Sequence, residues 1–131
     1  MNKTQFVGNP TPRVEGAEKG TGKAVYAVDV VLPGMLWGKA MRSPVSYARI
    51  RRVDVSRALA LPGVKTVITG KDVAGHKIGR RIYDMPILAE EVVRFIGEKV
   101  AAVAADTEEI AEQALGLIEV EYEDLKPVLD P

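Results

Sequence analysis

The last third of the chain constrains the fold most, because it contains three consecutive segments with three different hydrophobic patterns. Val100–Ala105 is an uninterrupted run of small apolar residues, which predicts a central strand with neighbours on both faces. Asp106 and Glu109 have the spacing of a capping box and predict the start of a helix. Six apolar residues then recur at helical spacing: Ile110, Ala111, Ala114, Leu115, Leu117 and Ile118.

A third pattern follows this amphipathic helix directly. Glu119, Glu121 and Glu123 alternate with Val120 and Tyr122, which is typical of a strand with one face in water. Strands and helices mix along the chain without a regular βαβ period. The predicted class is therefore α+β, with a mixed, mostly antiparallel sheet and one main C-terminal helix.

The middle of the chain predicts further strands, at Ala24–Val31, Met35–Arg42, Arg49–Val55 and Val64–Ile68. The second and third of these are joined by Ser43–Tyr47 and are expected to pair antiparallel. Between the third and fourth, Ser56 is a plausible cap for a short helix near residues 56–61, which Pro62-Gly63 would end.

Two segments are expected to lie outside the packed elements. Residues 1–22 are rich in glycine and proline among polar residues and predict an extended N-terminal arm. Residues 71–91 are punctuated in the same way and predict a long, mostly exposed excursion. We therefore expect an arm over 1–22 and a single domain over 23–131.

Composition excludes several kinds of site. The 131 residues include no cysteine and one histidine, so thiolate zinc sites, iron–sulfur ligation and cysteine nucleophiles are ruled out. Eighteen basic and 18 acidic side chains give a net charge of zero, which argues against a nucleic-acid binder. No apolar stretch approaches the 18 or so residues of a membrane span, and we expect a soluble cytoplasmic domain.

Glycines near the first predicted strand invite a phosphate-binding interpretation that their spacing does not support. Gly20-Thr21-Gly22-Lys23 lacks the first glycine of a P-loop, because position 17 is alanine. Position 25 is valine, so the dinucleotide-binding pattern fails as well. A turn is the expected structure.

Other candidate side chains also lack the partners that chemistry requires. His76 has no second histidine or cysteine for a metal site and is expected to lie exposed in a loop. Ser43, Ser46 and Ser56 have no nucleophile-elbow glycines around them. Each acidic cluster fits a structural role in a loop, at a helix N-terminus or on the outer face of a strand: Glu90-Glu91, Glu108-Glu109 and Glu119/Glu121/Glu123.

Arg80-Arg81, with Lys77 and Tyr83 nearby, could bind an anionic group, but a charged loop tip is the more frequent explanation for such a run and is the one we expect. Trp37 and Tyr47 fit core or interface packing. We therefore predict no catalytic, cofactor-binding or metal-binding residue in this segment.

Several blocks of sequence, in a fixed order over about residues 14–131, resemble one known family. They include Lys19-Gly20-Thr21-Gly22-Lys23-Ala24-Val25-Tyr26, Leu32-Pro33-Gly34-Met35-Leu36, Arg42-Ser43-Pro44, Ala60-Leu61-Pro62-Gly63-Val64, Asp84-Met85-Pro86-Ile87-Leu88-Ala89, Val93-Arg94-Phe95-Ile96-Gly97-Glu98-Lys99-Val100, Ile118-Glu119-Val120-Glu121-Tyr122-Glu123 and Pro127-Val128-Leu129-Asp130-Pro131. These blocks are similar to the start of the large, molybdenum-binding subunit of xanthine dehydrogenases, aldehyde oxidases and carbon monoxide dehydrogenases.

The resemblance implies that residues 23–131 are the N-terminal α/β hammerhead domain of that subunit, and that the chain is a fragment of this larger subunit. It implies packing against a separate region that holds molybdopterin, with iron–sulfur and FAD groups in partner domains or subunits. None of the family's catalytic residues falls on these positions. Where many relatives have a histidine, this chain has Tyr47, which cautions against choosing xanthine as substrate.

Two hypotheses follow. The chain is the structural hammerhead domain of a molybdenum hydroxylase, inactive alone, with the arm and the 71–91 excursion docking on the molybdopterin-binding region of the same or an adjacent chain. Alternatively, it is an autonomous binding or scaffold domain that keeps the hammerhead fold without enzyme activity.

Overall fold

The computed structural model describes residues 8, 10 and 12–128, which divide into two compact units, one ending at Gly34 and the other beginning at Met35. The first unit contains helix α1 (Gly16–Gly20) and a 3-10 turn at Ala27–Asp29. Helix α1 lies where the sequence predicts an extended arm. Residues 1–7, 9 and 11 of that arm fall outside the described residues, as do Leu129, Asp130 and Pro131. The predicted boundary at residue 22 stays a prediction.

The strand predicted at Ala24–Val31 is wrong. Asp29 Oδ2 accepts a hydrogen bond from the Tyr26 backbone N–H at 2.9 Å, and this local bond closes a turn in place of a ladder. Val25, Val28 and Val31 are exposed. Alternation of apolar residues therefore does not mark a buried strand in this segment.

The described part of the second unit, residues 35–128, contains eight strands and two helices. In chain order they are β1 (Trp37–Arg42), β2 (Ala48–Asp54), α2 (Ser56–Leu59), β3 (Val64–Thr69), β4 (Lys77–Ile78), β5 (Met85–Pro86), β6 (Val92–Val93), β7 (Lys99–Ala105), α3 (Glu108–Leu115) and β8 (Glu119–Asp124). Three antiparallel sheets result, with strand orders β1-β7-β3, β6-β2-β8 and β4-β5. The predicted α+β class with mostly antiparallel pairing is confirmed.

The predicted pairing of β1 with β2 is wrong, because the two strands belong to different sheets. β1 pairs with β7, from Trp37 opposite Ala105 to Arg42 opposite Lys99. The chain then turns at Ser43, whose N–H donates to the Glu98 carbonyl at 2.8 Å. The connection between β1 and β2 is thus a corner between two sheets and not a hairpin.

Strand β7 is the centre of the packing. Ala101, Val103 and Ala105 on one face lie in a buried cluster with Ala111 and Ala114 of α3. Val100, whose side chain lies on the opposite face of the strand, belongs to a second buried cluster. The predicted central strand with neighbours on both faces is confirmed.

Both helices begin at positions that differ from the predicted ones. Thr107, and not Asp106, caps α3, because its hydroxyl accepts from the Ile110 N–H at 3.3 Å. Asp106 instead forms an ion pair with Lys65 at 2.8 Å. Likewise, Ser56 is the first residue of α2, and Asp54 Oδ1 accepts its N–H at 2.9 Å.

The observed cap gives a first prediction. Thr107→Ala should lower the free energy of unfolding by about 1 kcal/mol, because one N–H of the first turn of α3 loses its acceptor. Thr107→Ser should recover most of that loss. Asp106→Ala should cost no more than about 0.5 kcal/mol, since an exposed ion pair contributes little. Urea titrations followed by circular dichroism measure all three, and a larger loss for Asp106→Ala would contradict the assignment of the cap.

In the part of the chain that the structure describes, no helix combines the length and apolar character needed to cross a lipid bilayer.

Candidate docking surface around Phe95

The glycines and the histidine singled out from the sequence lie on exposed backbone. Gly22 has a φ of +70° and forms the predicted turn, although no strand follows it. His76 is exposed after a turn, as predicted. Within residues 8, 10 and 12–128, no group of three or more histidines and carboxylates is placed to hold a metal ion.

The serines are engaged in local structure. Ser43 is buried, and its hydroxyl donates to the Val45 carbonyl at 3.0 Å and accepts the Val45 N–H at 3.1 Å. Ser56 opens α2. Ser46 lies at the edge of an open cavity described below.

The acidic clusters have the predicted structural roles. Glu119 pairs with Arg57 at 2.8 Å, Glu121 with Arg52 at 3.9 Å, and Glu123 with Arg49 at 3.7 Å. These pairs cover the outer face of β8.

The other acidic clusters lie at a helix N-terminus and in a loop. Glu108 and Glu109 lie in the first turn of α3, where hydrogen bonds to the Glu109 backbone N–H and the Thr107 hydroxyl lower the pKa of Glu109. Glu90 accepts the Gly75 N–H at 3.1 Å.

The turn between β6 and β7, Phe95–Glu98, is held by hydrogen bonds and carries exposed apolar side chains. The Glu98 N–H donates to the Phe95 carbonyl at 3.2 Å, and Gly97 has a φ of +90°, as the third position of a type II turn requires. The Gly97 N–H donates to the Ser43 carbonyl at 2.8 Å, and Arg42 Nη1 donates to the Gly97 carbonyl at 2.9 Å. The turn is therefore tied to the corner after β1.

The carboxylate of Glu98 holds the turn from inside. It is 6% exposed and accepts the Arg94 N–H at 2.6 Å and Arg94 Nε at 3.0 Å. Arg94 Nη2 donates to the same carboxylate. These bonds raise the pKa of Arg94, with a smaller contribution from the charges of Glu98 and Asp84. One buried carboxylate thus fixes both the backbone and the side chain at residue 94.

Large apolar side chains project from this fixed turn. Phe95 is 50% exposed and Ile96 is 68% exposed. Together with Tyr47 and Val128 they form the Phe95 surface, which borders an open cavity of about 540 Å³. A second recess of about 180 Å³, between the turn and the β4-β5 hairpin, also includes Phe95.

Rigid apolar groups exposed beside each other are the usual mark of a protein contact site. The backbone bonds around residue 97 hold the turn in one conformation, which lowers the entropy cost of ordering such a site when it binds. In the sequence, the only sign of this contact site is two large apolar residues, Phe95 and Ile96, directly before Gly97. Tyr47, which the sequence predicts to pack in the core or at an interface, belongs to this surface.

Comparison with known proteins gives a consistent result. Residues 21–126 match the family model described as "Aldehyde oxidase and xanthine dehydrogenase, a/b hammerhead domain". The chain is 47% identical over 120 residues to a probable xanthine dehydrogenase subunit of Bacillus subtilis, covering 91% of this chain and 16% of that protein. It is 41% identical over 133 residues to the carbon monoxide dehydrogenase large chain of Afipia carboxidovorans, covering 98% and 16%.

Solved structures agree with the sequence matches. The crystal structure of a Cu,Mo-CO dehydrogenase superposes with a TM-score of 0.89 at 40% identity, covering 94% of this chain and 16% of that one. The chain therefore spans about 16% of the length of each of these three proteins. The predicted hammerhead fold is confirmed.

Proposed function

Because the chain belongs to the aldehyde oxidase and xanthine dehydrogenase hammerhead family, we propose that it is the structural domain of a xanthine dehydrogenase-like molybdenum hydroxylase and docks through its Phe95 surface. The observation that supports docking is the Phe95–Glu98 turn, which holds Phe95 and Ile96 exposed on a fixed backbone. In this proposal, the molybdopterin-binding region of the same or an adjacent chain covers that surface.

The cofactors of the proposed enzyme are assigned to other regions. The wall around the open cavity is mainly apolar, with Tyr47, Phe95, Ile96 and Val128 among its residues. A pterin cofactor needs many converging hydrogen-bond donors and acceptors, which this wall does not offer. We therefore place molybdopterin outside this domain, and iron–sulfur and FAD groups in partner domains or subunits. The residues around this cavity therefore do not fit a pterin.

Association with the rest of the enzyme tests the proposal. The tagged chain is co-expressed with the molybdopterin-binding remainder of the large subunit from the same genome and purified through the tag. We expect a stable 1:1 complex that contains molybdenum by elemental analysis, while the chain alone contains none. Failure of the two polypeptides to co-purify, with both folded by circular dichroism, would contradict the proposal and favour an autonomous scaffold domain.

A further inference from the structure

The β4-β5 hairpin presents a second surface that the Phe95 turn does not explain. Its tip spans residues 79–84. A side chain on Gly79 would overlap the Ile82 carbonyl, so the two backbone segments pass in direct contact and only glycine fits. The tip is therefore a closed loop with a defined shape.

The tip is both apolar and basic. Ile82 and Tyr83 are each 71% exposed, and Arg80 and Arg81 beside them are exposed too. In the hairpin below, Ile78 and Met85 are also exposed. Two hydrophobic side chains next to two arginines make a surface suited to a protein contact, where arginine and tyrosine are enriched.

The two arginines at the tip of the hairpin are not balanced by ion pairs. Arg80 and Arg81 form none with any described carboxylate, whereas the arginines of β2 all do. The hairpin contains one carboxylate, Asp84. Its charge helps to raise the pKa of Arg94, outside the hairpin. Asp84 and Lys77 line one shallow recess together with Glu90 and Glu91, so the charge without a local counter-charge is that of Arg80 and Arg81 at the tip.

We propose that the hairpin tip binds an acidic protein surface with an apolar centre, on another part of the enzyme. The inference rests on the proposed function, because it takes the partner to be the polypeptide that docks on the Phe95 surface. Because Arg80 and Arg81 form no ion pair with a described carboxylate, they can pair with carboxylates of the partner. A small phosphate-bearing ligand would leave Ile82 and Tyr83 uncovered, so the exposed hydrophobic side chains favour a protein.

A charge-reversal experiment tests this inference in the co-purified complex. The double variant Arg80→Glu/Arg81→Glu should weaken association about tenfold at low salt. Sodium chloride should lower the affinity of this variant less than that of the unaltered chain, because the introduced carboxylates repel the acidic partner and salt screens that repulsion. The control Arg80→Lys/Arg81→Lys keeps the charges and should bind within about twofold of the unaltered chain.

The outcomes separate the two proposals. Equal binding by the Glu variant and the unaltered chain would overturn the hairpin inference and leave the proposed function intact. Absence of binding by the unaltered chain would overturn both. Inorganic phosphate added at matched ionic strength should have no more effect than chloride. Specific displacement by phosphate would identify the tip as an anion site and contradict a protein contact.

Discussion

Replacing both Phe95 and Ile96 by aspartate is expected to weaken association with the molybdopterin-binding polypeptide by about a hundredfold or more. Apolar residues at the centre of an interface contribute most of its binding energy, and a carboxylate buried there would lack a partner. Both side chains are largely exposed in this chain, so the variant should keep its fold. Isothermal titration calorimetry or quantitative co-purification measures the loss.

The chain offers a matched control for this experiment. Leu59 at the end of α2 is 48% exposed, close to the 50% of Phe95, but it lies outside the Phe95 surface. Leu59→Asp adds one carboxylate, as does the single variant Phe95→Asp, and should leave association within about twofold. Equal losses for the two variants would show that the effect comes from a general change in surface charge, and would contradict a specific docking site.

Breaking the Arg94–Glu98 pair is expected to have the largest effect on stability. Arg94→Ala removes the guanidinium from a carboxylate that is almost fully buried, leaving it with the backbone N–H of residue 94. We expect a loss of about 2–3 kcal/mol, below the full penalty for a deeply buried pair because the Arg94 side chain is 44% exposed. Denaturation monitored by Trp37 fluorescence measures it.

Two further variants identify the cause of that loss. Glu98→Gln introduced into Arg94→Ala removes the unpaired buried charge and should recover about half of the lost stability. Arg57→Ala breaks an exposed pair with Glu119 and should cost no more than about 0.5 kcal/mol. If Arg94→Ala and Arg57→Ala were equally mild, the turn would not depend on the buried carboxylate.

The elements predicted correctly are those whose local pattern agrees with their tertiary surroundings. Val100–Ala105 has small apolar residues on both faces of the strand, and these pack into the two buried clusters. The alternation in β8 places its glutamates outward, where arginines of neighbouring elements pair with them. In both strands, local pattern and packing favour one structure.

The errors arise where short-range patterns have more than one solution. The valines after Ala24 alternate as in a strand, but a single carboxylate, Asp29, captures the backbone and makes a turn. Asp106 and Thr107 are both good cap residues, and the ion pair with Lys65 engages Asp106. The pairing of β1 with β7 depends on contacts between residues far apart in sequence, which periodicity cannot show.

The candidate site is the least predictable part for a similar reason. Sequence patterns identify residues that must be buried, but Phe95 and Ile96 are informative because they are exposed on a fixed turn. That exposure depends on Glu98 lying inside and on the bonds of residue 97 to the corner at Ser43. None of these contacts has a signature in composition or spacing.

Burial of Phe95 in the assembled enzyme tests the central claim most directly. The chain contains two phenylalanines, so uniform incorporation of 4-fluorophenylalanine gives two fluorine NMR signals, which Phe95→Leu assigns. Titration with the molybdopterin-binding polypeptide should shift or broaden the Phe95 signal in proportion to complex formed. A Phe95 signal that stays unchanged while size-exclusion chromatography shows a complex would contradict docking through this surface.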